Sequence, residues 1–240
     1  MAAAYALRWG AFTLRPIDSQ LMGTNLAFVF LATNAPESLM KNSAPAEFPI
    51  HDLIGDRWSP RAFGDKDVAP ETLRSLFEAA RWAPSSSNEQ PWRFIVATRN
   101  DPENFTKALQ PLVEFNVGWA KHAPILGFSV AELAFAKNNA PNRNAQYDTG
   151  AAMALLSIEA TARGLFVHQM AGFDPETCRE VFSIPAGFDA IAAFAIGYPG
   201  DPATLPQPYR DRETAPRVRN PIRDFVMTGS WGQTAPFIPK

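Results

Sequence analysis

The stretch Pro70–Thr98, PETLRSLFEAARWAPSSSNEQPWRFIVAT, carries a helix, a polar turn and a strand in that order. Leu73, Leu76, Phe77 and Ala80 recur at i, i+3, i+4 and i+7 and Pro70 suits a first helical turn, so the spacing predicts an amphipathic helix over Pro70–Ala83. Pro84 disfavours helical geometry at Ala83, which stops the helix and delivers the turn Ser85-Ser86-Ser87-Asn88. From Trp92 to Thr98, the residues Phe94, Ile95 and Val96 supply the aromatic and β-branched bulk of a strand.

Further along, Asp101-Pro102 opens a helix as N-cap and N1 residues, and Pro124–Ala131 reads as a second apolar strand. Residues Lys137–Asn144 form a polar, asparagine-rich loop suited to the mouth of a site. Asp148–Arg163 is apolar almost all round and runs into Gly164, a good C′ residue, which predicts a buried central helix. Leu165–Gln169 is a short strand, Asp174-Pro175 starts another helix, and Ala190–Gly197 is a core strand. Strands and helices alternate irregularly and no Gly-rich turn follows the first strand. That pattern argues against a doubly wound dinucleotide fold and for an α+β layer.

With 240 residues, 46% hydrophobic and 19% charged, the chain has the material for one soluble domain, placed at 48–240, plus an extension at 1–47. Asn42–Pro49, rich in Pro and Ala, reads as the linker between them. A net charge of -2 argues against a nucleic-acid partner, so any phosphate site is local. The single cysteine, Cys178, has no partner for a disulfide or a redox pair; a reducing, cytoplasmic setting follows as the expectation, with Cys178 an ordinary residue of a surface helix. The apolar run Leu26–Ala32 falls far short of the ~20 residues that span a bilayer. Arg8 and Arg15 ahead of it suggest an export signal, but Thr24, Asn25 and the irregular lead-in fit better with a flexible extension or with sequence upstream of a start at Met40.

Candidate chemistry begins with Arg57-Trp58-Ser59-Pro60-Arg61-Ala62-Phe63, where two guanidinium groups and a hydroxyl can converge on one anion. Arg217-Val218-Arg219 offers a second alternating pair, whose side chains point the same way if the segment is extended. Taken singly, such pairs are ordinary solvated charges, and they gain weight by occurring together. Ser85, Ser86, Asn88 and Gln90 either satisfy their own backbone or present amides to a ligand from a loop set between a helix and a strand. His51, His122 and His168 are scattered, which gives no metal-ligand spacing, and neither a Gly-x-Ser-x-Gly elbow nor a Walker-type loop occurs.

The motifs Arg57-x-Ser59-x-Arg61-x-Phe63 and Ala83-Pro84-Ser85-Ser86-Ser87-Asn88-x-Gln90-Pro91-Trp92 resemble, in order and separation, the two amino-terminal motifs of the nitroreductase-like flavoprotein family. Asp148-x-Gly150-x2-Met153, Gly164-Leu165 and Gly172-Phe173-Asp174 resemble its central helix and flavin-covering loop, and Arg217-x-Arg219-x-Pro221 its last phosphate-binding segment. The resemblance spans about 48–228. It implies an α+β sandwich with a central mixed or antiparallel sheet flanked by helices, in a homodimer that exchanges terminal segments and holds two FMN molecules at its interface.

Carried over by position, Arg57, Ser59, Arg217 and Arg219 would hold the FMN phosphate with Trp58 beside them, and Arg61 would reach the N1/O2 edge of the ring. Pro84, Ser85 and Ser86 would act on the partner's flavin, Asn88 and Gln90 would read a flavin edge, and Met170, Ala171 and Gly172 would lie beside the ring. The implied activity is ping-pong reduction of nitroaromatic, quinone or enone acceptors with NADH or NADPH, with no protein nucleophile and no metal. A flavin carrier without turnover and a member specialised for another substrate are the alternatives. Gln169-Met170-Ala171-Gly172 stands where the best-known enzymes have Pro-Ile-Glu-Gly, so their nicotinamide positioning and substrate range do not transfer directly.

Overall fold

A computed structural model of the chain describes residues 42–239. The expected apolar run at 26–32 and most of the expected extension lie outside the described residues.

Four antiparallel strands form one sheet in the order β1-β2-β4-β3: β1 (Trp92–Thr98), β2 (Ile125–Glu132), β3 (Phe166–Met170) and β4 (Phe188–Gly197). The sheet is therefore antiparallel rather than mixed. Alternation along the strands sorts their side chains to two faces. Leu126, Phe128 and Val130 of β2, with Ala193 and Ala195 of β4, join one core. Ile125, Phe194 and Ile196 join the other. Both faces of β2 are covered, which explains why it reads as a nearly unbroken apolar run.

Helices close each face. Against the first core pack α3 (Pro102–Leu109), α4 (Glu114–Ala120) and α6 (Pro175–Phe182), through Phe105, Trp119 and Cys178. Against the second pack α2 (Pro70–Arg81) and α5 (Ala145–Ala162), through Leu76, Ala80, Met153 and Leu156. The α2 helix ends at Arg81 as Pro84 requires, with Trp82 as its C-cap. In α5 the buried hydroxyls of Thr149 and Ser157 donate to the carbonyls of Ala145 and Met153, at 2.8 and 2.7 Å, so their burial leaves no orphaned group. Gly164 takes φ +70 at C′, and the Leu165 N–H returns to the Ala160 carbonyl, closing the helix before β3. Short α-helices α1 (Asp52–Asp56) and α7 (Gln207–Glu213) lie before and after these elements, and single 3-10 turns occur at Ser86–Asn88, Pro202–Thr204 and Ile222–Asp224.

Two details of the sheet are specific. Opposite Ser129 and Val130, β4 places Ala192 and Ala190, so Ile191 is an extra, bulged residue. At Gly127 an added Cβ would stand 2.4 Å from the Ile95 carbonyl oxygen, a backbone atom that the ladder holds in place. Gly127→Ala is accordingly expected to destabilise the fold by about 1–3 kcal/mol, the usual range for overpacking, measurable as a lower midpoint in chemical denaturation.

Candidate active site

A cleft of about 660 Å3 is lined by Phe48, Ile50, Ile54 and Arg57 on one side and by Arg217, Arg219, Ile222 and Phe225 on the other. Its first wall depends on α1. The His51 Nδ1 accepts from the Leu53 N–H at 3.2 Å, and Arg57 leaves the helix in extended geometry with its N–H on the Leu53 carbonyl. Burial first, then Arg217 and Arg219, lowers the pKa of Arg57 from its ordinary value. Burial and then Arg219 do the same to Arg217, against the opposing pull of Asp56. Glu47 is the only carboxylate among the described lining residues, so the cleft carries an excess of positive charge that an anion would relieve.

Arg217 is more than a free cation. Its Nη1 donates to the carbonyls of Asn42 and Gly55 and its Nη2 to that of Arg57, the last at 2.8 Å. The residue thus ties the C-terminal segment to α1 while contributing charge to the cleft. Arg219 is exposed, with Nη1 on the neighbouring Val218 carbonyl at 2.7 Å.

Ser59 and Arg61 follow Arg57 in sequence but are not among the cleft's lining residues. Trp58 is buried edge-on against Phe166, with ring centroids 6.0 Å apart. Ser59 and Arg61 are half-buried. The Arg61 N–H donates to both carboxylate oxygens of Glu213, at 3.0 and 2.8 Å, and the Ala62 N–H to Glu213 Oε1 at 3.1 Å. His168 Nδ1 donates to the Pro60 carbonyl at 2.8 Å, and its ring lies 4.4 Å from that of Trp119. The Arg61 Nε atom is buried with no hydrogen-bond partner. A buried donor of this kind costs about 1–3 kcal/mol and fits a ligand acceptor.

The Ser85–Gln90 turn belongs to a second cleft, about 430 Å3, lined by Pro84, Ser85, Ser86, Asn144, Tyr147 and Asp148, none of which lines the arginine cleft. The buried Asp148 carboxylate accepts from the Ser86 N–H at 2.9 Å and anchors the turn to α5. Ser87, Asn88 and Gln90 take φ of 54, 57 and 52, an uncommon, strained set for residues other than glycine. Ser85 Oγ accepts from the Gln90 N–H, and Gln90 Nε2 donates to the Asn88 carbonyl, so part of the turn's polarity satisfies its own backbone. The Asn88 side chain is exposed.

At the end of β3, Met170 is buried in the first core and Ala171 is exposed. Gly172 is held by α4: its carbonyl accepts from the Val113 N–H and Asn116 Nδ2, and an added Cβ would stand 2.6 Å from that same amide. Cys178 corrects one expectation, since its helix does not expose it. The residue is fully buried against the sheet, and burial pushes its thiol up to about 11, the condition of an inert core cysteine.

Two residues that bond the backbone of Pro60, Arg61 and Ala62 give no local signal in the sequence. His168 looked unremarkable because its partner, the Pro60 carbonyl, is a backbone atom. Glu213 carries no local signal either, since its partners lie some 150 residues earlier. Asp148 was visible only as part of a motif.

The family model for nitroreductases matches residues 54–198, from α1 through the end of β4. The chain belongs to the nitroreductase family. A solved structure described as an oxidoreductase containing FMN is 35% identical to this member, with a TM-score of 0.75, covering 80% of this chain and 98% of that one. The NADH dehydrogenase of Thermus thermophilus is 30% identical over 169 residues, 57% of this chain and 80% of its own. Nitrobenzene nitroreductase of Ectopseudomonas oleovorans is 48% identical over 59 residues, 25% of this chain and 26% of that protein. An uncharacterized 15.4 kDa protein of Mycolicibacterium smegmatis is 43% identical over 90 residues, so this chain spans 60% of that relative's length. Among the described residues of this nitroreductase-family chain, no helix is long and apolar enough to cross a membrane, and no three His, Cys, Asp or Glu converge as a metal site.

Proposed function

We propose that the protein is an FMN-dependent oxidoreductase that takes electrons from NADH or NADPH and passes them to a nitroaromatic, quinone or enone acceptor. The observation that carries this reading is the convergence of Arg57, Arg217 and Arg219 on one cleft, where Arg217 and Arg219 lower the pKa of Arg57 and Arg219 lowers that of Arg217. A phosphate monoester would neutralise that charge, with Arg57 and Arg219 offering guanidinium donors and Arg217 acting as brace and cation. The buried, unpartnered Arg61 Nε is a second feature that suits the group, as a donor for the pyrimidine edge of the ring. Bound FMN would supply the two-electron chemistry between nucleotide and acceptor.

The chain's own residues would bind and orient. Ser59 would add a hydroxyl at the phosphate, and Arg61 would favour negative charge at the ring edge. The separation of the Ser85–Asn88 turn from the arginine cleft, and the exposed Phe225, Trp231 and Phe237 near the C-terminus, support a homodimer. In that dimer terminal segments would be exchanged, and Pro84, Ser85 and Ser86 would reach the partner's ring while Asn88 and Gln90 face their own.

Titration of the purified protein with FMN, followed by flavin fluorescence, tests the cofactor, and anaerobic addition of NADH or NADPH tests turnover. One FMN bound per chain, bleached by a nucleotide and restored by nitrobenzene, is the expected result. No binding would overturn the reading. Binding without bleaching by either nucleotide would identify a flavin carrier instead.

A further inference from the structure

The Pro60–Arg61 peptide unit is held at both ends by buried side chains from distant elements. Its carbonyl accepts from His168 on β3 at 2.8 Å, and its N–H donates to Glu213 on α7, whose Oε2 lies 2.8 Å away. Glu213 is only 1% exposed, and its Oε1 also takes the Ala62 N–H. Burying a carboxylate is costly unless its oxygens are bonded, and here they are bonded to backbone rather than to a side-chain cation. A glutamate placed only to fill space would be replaced by an apolar residue at less cost. Burial, with a smaller contribution from Arg212, lowers the pKa of Arg61 from its ordinary value, and the Glu213 carboxylate opposes that drop. The Arg61 backbone is thus clamped while its guanidinium Nε stays buried without a partner.

We propose that Glu213 and His168 are positioning residues that clamp the Pro60–Arg61 peptide, and that they set both the direction in which Arg61 meets its ligand and the net positive charge it presents there. The proposal rests on the reading that Arg61 faces the ring edge of FMN. A clamp on the peptide fixes the Arg61 backbone and so narrows the rotamers open to its side chain, which reduces the freedom lost on binding. The buried anion behind it offsets part of the guanidinium charge, which moderates how strongly the site favours reduced flavin.

The test uses the FMN-loaded protein and two pairs of variants. In Glu213→Gln an amide oxygen at the Oε1 position can still accept from both N–H groups, while the charge is gone and an amide nitrogen replaces Oε2, the closer acceptor of the Arg61 N–H. Its bound FMN is expected to become easier to reduce by about tenfold in the two-electron equilibrium, roughly 30 mV. In an Arg61→Ala background the same substitution is expected to move the potential by a smaller amount, because the part of the effect that passes through the placement and charge of Arg61 is gone. A merely structural glutamate would lower stability in both backgrounds and move the potential in neither. On the other side of the peptide, His168→Leu removes the donor and is expected to weaken FMN binding about tenfold, the equivalent of one lost hydrogen bond. His168→Asn keeps a donor near the Nδ1 position and is expected to restore binding.

Wild-type affinity in His168→Leu together with a wild-type potential in Glu213→Gln would overturn the proposal. If Glu213→Gln does not fold, the His168 pair decides alone: equal affinity in Leu and Asn variants refutes the clamp, and rescue by Asn supports it. Failure of the wild-type protein to bind FMN would instead overturn the reading on which the proposal rests.

Discussion

Arg61→Ala is expected to weaken FMN binding by about ten- to a hundredfold, which corresponds to losing one hydrogen bond to a charged group in a half-buried setting. It is also expected to slow flavin reduction by nucleotide, because the positive charge that favours electron density at the ring edge is removed. Two facts make Arg61 more than a surface cation: its backbone is tied to the buried Glu213, and its Nε is buried with no partner of its own. Arg74 is the control. It pairs with Glu71 at 2.6 Å on the outer face of α2, with both side chains more than two-thirds exposed. Such pairs contribute about 0–1 kcal/mol to stability and none of that bears on a ligand. Fluorescence titration and stopped-flow reduction of the two variants check the prediction, and indistinguishable behaviour would count against the site.

Acid is expected to destabilise the fold between pH 6.5 and about 4 through His168. Burial, the largest cause, lowers its pKa from 6.5 to about 4; the hydrogen bond to Pro60 pulls the other way and Arg61 reinforces the drop. Between those values the unfolded chain binds the proton and the folded chain does not, so stability is complete above pH 6.5 and falls as the pH drops. The gap amounts to about 3 kcal/mol for a group this deeply buried. Glu213 works in the opposite sense, since burial raises its pKa and its protonated form is favoured on acidification. Comparing the wild type with His168→Asn cancels that contribution. Urea denaturation at pH 7 and pH 4.5 should show a loss for the wild type that is about 2–3 kcal/mol larger than for the variant. Equal losses would show that His168 does not titrate in this range.

Local signals account for much of the architecture. The β1 bounds match the expected Trp92–Thr98 because aromatic and β-branched residues are bracketed there by Pro91 and by the turn before Asp101. The central helix begins at Ala145, three residues earlier than Asp148: Asn144 is its N-cap, a residue type that suits the position but is lost to view in an asparagine-rich stretch, and its side chain makes no cap hydrogen bond. Short helices escaped notice. Only seven residues long, α4 and α7 have too few turns to display a period, and α7 contains Pro208 near its start. Cys178 was misplaced because a polar neighbourhood of Glu176, Thr177 and Arg179 hides that the next turn of α6 faces the sheet.

Periodicity and proline positions by themselves point to an α+β layer, and the order of the arginine and serine motifs supplies the resemblance to the nitroreductase family, from which a shared role for Arg57, Ser59, Arg61, Arg217 and Arg219 is an expectation. Tertiary structure alone decided where those residues and their partners are placed. It spent two nitrogens of Arg217 on backbone carbonyls, separated the Ser85–Asn88 turn into a different cleft, and brought Glu213 and His168 to the two ends of one peptide bond. The physical reason is that helix and strand preferences are local, whereas the burial of a charge is settled by whichever backbone groups the rest of the chain brings within about 3 Å of it.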